Sequence, residues 1–233
     1  AFAVKSPRNR SRLRERSNHY HGGMSSRRRV VRIVLVALLV VAVLVLGATL
    51  AVLVPILAHH SAGGSGRQVP GGFVSETSAK GADHRTRELR VETADGRAAE
   101  LDALVPGETL VVRGEGFDAS IGIYVAICAI PDSASDKPGP CLGGIPAGAE
   151  EGHADQATLS SVWITDDWAW RAFATRGYDD ADRGSFTAML TVPDPASNGL
   201  DCRKTRCAIA TRADHTAASD RVQDMLLPVA YRE

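Results

Sequence analysis

Between Ile33 and Ala58 the chain has no charged side chain, and before Cys128 it has no cysteine. Lysine is scarce, four against 23 arginines, and aromatic residues make up only 5% of the 233 positions. Each absence excludes something. Without a cysteine near the apolar run there is no lipid-attachment site beside it. Without C-x2-C spacing, the common zinc and thioredoxin patterns are missing. There is no G-x-S-x-G, so the nucleophile elbow of one hydrolase class is absent. No glycine-rich loop leads from a strand into a helix, as a phosphate cradle would require.

Net charge is also absent, but the zero hides a split. Residues 1–32 hold ten Lys/Arg against the single acid Glu15, and the rest holds 17 Lys/Arg against 26 Asp/Glu. A basic segment beside an acidic one suits a tail facing an anionic surface. The tail is arginine-rich without interleaved aromatics, so it reads as a solvated cytoplasmic segment, and no nucleic-acid partner is expected. "MSSRRRVVRIVLV" from Met24 resembles a natural start, which leaves residues 1–23 as possible upstream translation.

What is present begins with "IVLVALLVVAVLVLGATLAVLVPILA", residues 33–58. About 20 apolar residues cross a bilayer as a helix, so this run is long enough with some tilt. It exceeds the apolar core of a signal peptide, and "LAHHSAGG" offers no clean small-x-small cleavage pair. An uncleaved anchor is expected. Arg27, Arg28, Arg29 and Arg32 precede it, and nothing basic follows until Arg67. The positive-inside bias puts the N-terminus in the cytoplasm and the remainder outside the plasma membrane.

Residues 59–87 are Gly/Ser-rich with no apolar period, and a flexible linker is expected there. The His59-His60 pair is too isolated to imply a metal. From residue 88 to 233 short apolar or alternating runs recur between turn residues: "ELRVET", "ETLVVRG", "IGIYVAICAI", "ATLSSVWIT", "WAWRAFATRG", "SFTAMLTV", "RCAIATRA" and "DMLLPVAY". Seven or so short strands predict an all-β sandwich or barrel. The strand at 121–130 is apolar on both faces, with Tyr124, Ala126 and Cys128 on the second one. A strand with one wet face alternates apolar and polar, so something must cover this second face.

The four cysteines, Cys128, Cys141, Cys202 and Cys207, all fall on the expected outer side, where thiols oxidise. The spacing in "DCRKTRC" suits a clamp across a tight turn, and 128 to 141 suits a loop returned to its own strand. Two further stretches carry candidate binding chemistry. "ITDDWAWRAFATRGYDD" concentrates Trp163, Trp168, Trp170, Phe173 and Tyr178, and aromatic clusters favour binding surfaces. "TRADHTAASDRVQD" holds Asp214, His215 and Ser219, but a triad must be shown by geometry. Its carboxylates match no calcium loop.

The outer domain resembles the neocarzinostatin family, the apoproteins of actinobacterial enediyne antibiotics. "VPGETLVVRGEGF" resembles the family's G-x-x-V-x-V-x-G-x-G-(F/L) opening, and "VAICAI" its V-x-x-C-A strand. "GSFTAMLTV" follows, then "DCRKTRCAIA" matching D-C-x4-C, and "DRVQDMLLPVAY" falls at the last strand. The resemblance spans roughly residues 100–231. It implies an immunoglobulin-like seven-strand sandwich with two local disulfides and a ligand cleft floored by Cys128 and Cys141. Two departures point away from an enediyne: the hairpin "PDPASNGL" lacks the family's aromatics, and residues 142–183 form an aromatic-bearing insertion. The expected function is non-enzymatic binding without a cofactor. The partner is another protein of an actinobacterial cell envelope. The alternative is an apolar small molecule, of polyketide or porphyrin type, over the first disulfide. Tyr124, Cys128, Cys141 and His215 join the five insertion aromatics as candidate contact residues.

Overall fold

A computed structural model describes residues 23–143, 159–197 and 199–232. Most of the basic tail and residues 144–158 of the insertion therefore lie outside the described residues.

The helix α1 (Gly23–Ala58) is 36 residues long. At about 1.5 Å per residue it measures about 54 Å, against a hydrocarbon core of about 30 Å. It starts ten residues before the uncharged run and so takes in the arginines at 27–29 and 32. From Val30 to Leu50 its large apolar side chains stand exposed, with no polar stripe among them. A helix apolar all round suits lipid rather than the surface of a soluble domain. Pro55 falls in its last turn, where one lost backbone bond costs least.

The remainder forms two four-stranded antiparallel sheets. The first has the order β1 (Glu76–Lys80), β2 (Thr86–Thr93), β3 (Thr109–Glu115) and β6 (Phe186–Thr191). The second has β10 (Met225–Val229), β9 (Cys207–Ala213), β4 (Ile123–Ala129) and β5 (Ser161–Ile164). Between them one core joins Leu89, Val91, Leu110, Val112, Phe186 and Leu190 to Ile123, Val125, Ile127, Ile164, Ile209 and Leu227. This is the all-β sandwich that the alternating runs predict.

Among the described residues there are ten strands, where about seven were expected. Two of the extra strands are the short hairpin of β7 (Ala196–Ser197) and β8 (Leu200–Asp201). "WAWRAFATRG" is not a strand. Asp167 accepts from Ala169 N through its side chain and from the Trp170 and Arg171 amides through its carbonyl, which winds the segment into helical turns.

The main departure is at residues 59–87. Instead of a flexible linker, this stretch carries β1 and the start of β2, and its earlier part docks on the second sheet. Gly64 bridges to Arg221, Ala82 N donates to Gly64 O, and Ser65 and Arg67 are buried. The glycines that suggested flexibility serve close approach. Gly66 has φ +69°, and a Cβ there would stand 2.2 Å from the Lys80 carbonyl oxygen.

The docked segment also explains the two-faced strand. β2, β3 and β6 alternate in and out, whereas β4, β9 and β10 are buried on both faces. On the outer face Ala126, Cys128, Ala208, Ala210 and Leu226 form a second apolar cluster, and Val69, Ile130 and Cys141 pack against it. The expected cover is supplied by this chain itself, through Val69, Ile130 and Cys141.

Candidate functional site

Strand register assembles the site. Tyr124 of β4 pairs with Trp163 of β5 on one side and Arg212 of β9 on the other. Cross-strand partners share a face, so these three side chains form one row across the outer surface. The Tyr124 and Trp163 rings are 5.8 Å apart, and the Arg212 guanidinium lies 5.8 Å from the Tyr124 ring centre.

Just past β9, a 3-10 turn (His215–Ala217) brings the imidazole onto this row. Its ring centre is 5.1 Å from Trp163 and 4.9 Å from Trp170, edge-on to both, and its Nδ1 is 3.0 Å from the Tyr124 hydroxyl. The turn is fixed by Asp214, which is fully buried. Asp214 Oδ1 accepts from Thr216 N and Oγ1, and Oδ2 accepts from Trp163 Nε1 at 2.8 Å. Only a glycine at 122 lets that carboxylate in, because a Cβ there would stand 2.0 Å from Asp214 Oδ2. Asp214 therefore orients Trp163 and the turn rather than the imidazole, and Asp214, His215 and Ser219 do not form a relay. Burial, then the nearby Asp214 charge, push the Tyr124 hydroxyl up from its ordinary value.

Of the nine candidate residues, the structure thus brings Tyr124, Trp163, Trp170 and His215 together. Trp168 and Phe173, on the same turn segment as Trp170, are 74% and 76% exposed. Tyr178 goes the other way: it packs on the main core and its hydroxyl donates to the Ile121 carbonyl at 2.9 Å. Nothing in the spacing of the insertion separates this core aromatic from the surface ones.

Both local disulfides are present, Cys128–Cys141 and Cys202–Cys207, and no described cysteine is free. Within "DCRKTRC" Arg203 and Lys204 are exposed and pair with Asp201 of their own loop. Arg203 donates to both Asp201 oxygens, and the Asp201 carboxyl is held down at about 2, chiefly by that hydrogen bond. The other disulfide lies within the outer apolar cluster, where Val69 covers the floor that the sequence reading left open to a ligand.

Sequence reasoning missed the ionic seam beside that floor. Arg67 Nη1 donates to Asp224 Oδ2 at 2.9 Å and Nη2 to the Asp136 carbonyl at 2.9 Å. Arg221 reaches the same Asp224 oxygen at 3.2 Å, while Asp224 Oδ1 is buried without a partner. His59 Nε2 lies 3.0 Å from Asp220 Oδ2, which also accepts from Ala62 N. Desolvation exceeds attraction on both sides of the central pair. It lowers the Arg67 guanidinium and pushes Asp224 up to about 6 despite two arginines.

This raised carboxyl has a consequence for stability. Between the ordinary carboxylate value near 4 and about 6, the folded protein holds a proton that the unfolded chain releases. Its contribution to stability is therefore present below that window and lost as pH rises through it. Asp201 and Asp83 are depressed instead, so what they contribute is lost only below the ordinary range. Urea unfolding is expected to show a gain of about 1 kcal/mol from pH 7 to pH 5. The Asp224→Asn variant should lack this gain, and equal slopes in the two proteins would remove the assignment.

No known family model matches the chain, and no curated protein does. Among solved structures, macromomycin is similar over 61% of this chain and 98% of its own, at 15% identity and a TM-score of 0.32. A likeness of that size carries no argument about fold or function, so both rest on the geometry above.

Proposed function

We propose that this chain is a membrane-tethered, non-enzymatic binding module of the cell envelope, with its N-terminus cytoplasmic and a neocarzinostatin-type sandwich outside. The observation that carries the reading is the aromatic corner. His215 stands edge-on to Trp163 and Trp170, Tyr124 tilts against Trp163 on the neighbouring strand, and Trp168 and Phe173 are exposed beside them. Rigid aromatic area with polar handles is what recognition surfaces are built from. The tether is supported by the length and uniform apolarity of α1 and by the arginines at one end. The outer location is supported by the two disulfides, and the family by the order of its motifs around them. A carrier cleft over Cys128–Cys141 has less support, since Val69 packs on that floor.

The test is gentle purification of the full chain from its own membranes, with mass spectrometry of what accompanies it. A stoichiometric component should be retained by wild type and by Phe73→Ala, an exposed aromatic on a different segment. It should be lost in Trp168→Ala and Trp170→Ala. Equal recovery in all four proteins would sink the reading.

A further inference from the structure

Next to the aromatic corner lie two cations that form no direct ion pair among the described residues. Lys137 is half-buried on the loop closed by Cys128–Cys141, and among the described residues its ammonium has no hydrogen bond and no carboxylate within 4.0 Å. Arg212 is half-buried too. It spends Nη1 on the Pro138 carbonyl at 3.0 Å, and its Nε is buried with no acceptor. It also makes no ion pair among the described residues. The neighbouring carboxylates have other partners, Asp214 in Trp163 and Thr216, and Asp224, through Oδ2 alone, in Arg67 and Arg221. Burial, then Arg212 and Arg221, pull the Lys137 ammonium down, and the attraction of Asp224 and Asp214 does not offset them.

Such an arrangement is costly unless something relieves it. A buried donor without an acceptor and two like charges side by side each disfavour the fold. The loop is nevertheless pinned in place. Ala129 N donates to the Pro140 carbonyl, Gly139 N donates to Ala129 O, the disulfide closes the loop's base beside them, and Arg67 Nη2 holds the Asp136 carbonyl further out. A Cβ on Gly139 would stand 3.1 Å from Arg212 Nη1, so the loop backs directly onto the guanidinium.

We propose that Lys137 and Arg212 form an anion site for a carboxylate carried on a ring, the ring lying against Tyr124, His215 and Trp170. The inference deepens the binding-module reading and rests on it. A guanidinium fork and an ammonium recognise a carboxylate by charge-assisted hydrogen bonds. The aromatic wall supplies area for either an aryl ring or the C–H face of a sugar ring. The shared chemistry is a ring carboxylate, and the two sources are told apart by the probes.

The experiment uses the full chain in neutral detergent and titrates benzoate against benzamide, and glucuronate against glucose, by calorimetry. At least one acid should bind about tenfold tighter than its neutral counterpart, a preference of the size one charge-assisted hydrogen bond provides. A benzoate preference identifies the aryl source and a glucuronate preference the saccharide source. The preference should weaken with salt, vanish in Lys137→Met and Arg212→Gln, and persist in Arg203→Gln. Should Arg212→Gln lose its near-UV dichroism, Lys137→Met alone decides. Equal binding of both acids and their neutral counterparts overturns the inference, as does a preference that Lys137→Met leaves intact. Because the probes are defined and the protein is purified, this result is independent of whether anything co-purifies from membranes.

Discussion

Arg67→Ala is expected to destabilise the outer domain by about 3 kcal/mol at pH 7, and to open residues 59–73 to proteinase K, since the substitution removes the segment's one trypsin site. The side chain is 7% exposed and joins three parts of the fold: its own segment, Asp224 before β10, and the Asp136 carbonyl on the first disulfide loop. Its removal leaves Asp224 with Arg221 alone, beside an Oδ1 that already lacks a partner, and takes the donor from the Asp136 carbonyl. Breaking a buried pair from one side costs far more than the pair is worth, because the remaining charge is stranded. Two controls separate these effects. The triple variant Arg67→Met, Arg221→Met, Asp224→Leu, which leaves no member of the cluster stranded, should recover most of the loss. The single variant's deficit should also shrink at pH 5, where Asp224 takes up a proton instead. A loss under about 0.5 kcal/mol at pH 7, typical of surface substitutions, would mean that the segment is not clamped by this residue.

That clamp was illegible in the sequence, and the reason is physical. "SAGGSGRQVPGG" has the composition of a flexible spacer, and composition alone reports chain entropy, not what the chain touches. Here glycine at 66 is required because the Lys80 carbonyl approaches too closely for any side chain. The one local hint was Arg67, a lone charge in a small-residue stretch, and its meaning depends on Asp224, 157 residues away. The sequence did carry the converse message. A strand apolar on both faces at 121–130 demands a cover, and the cover proved to be Val69 with Cys141.

The candidate site shows the same division. β2, β3 and β6 were legible because alternation is a local property, and the disulfide loops because closure is local too. The corner was legible only as a list of aromatic residues. Its assembly depends on the β5–β4–β9 register, which sets Trp163, Tyr124 and Arg212 in a row, and on a turn that delivers Trp170. Register is fixed by the whole core, so no window of sequence separates Trp170 on the wall from Tyr178 in the interior. Lys137 and Arg212 were passed over for the same reason: an unpaired charge is defined by what surrounds it.

The two disulfides should therefore differ in function more than in stability. In the chain-entropy account, closing 13 residues stabilises by about 3 kcal/mol and closing five by about 2 kcal/mol, so the paired alanine variants are expected to lose about those amounts. The structural consequences diverge. The Cys202–Cys207 turn is held independently, since the Asp201 carbonyl accepts from Lys204 N and Thr205 N and its carboxylate accepts from Arg203 N. The Cys128–Cys141 loop presents Lys137 and the Asp136 and Pro138 carbonyls that receive Arg67 and Arg212. Cys128→Ala with Cys141→Ala should thus expose residues 59–73 to trypsin and abolish the preference for a ring carboxylate. Cys202→Ala with Cys207→Ala should leave both properties close to wild type while still lowering the urea midpoint. If both pairs gave the same protease pattern and the same ligand preference, the first loop would be a staple and nothing more. If they differ as stated, "DCRKTRC" secures one turn, while the loop closed at Cys128 carries the docked segment and the binding site together.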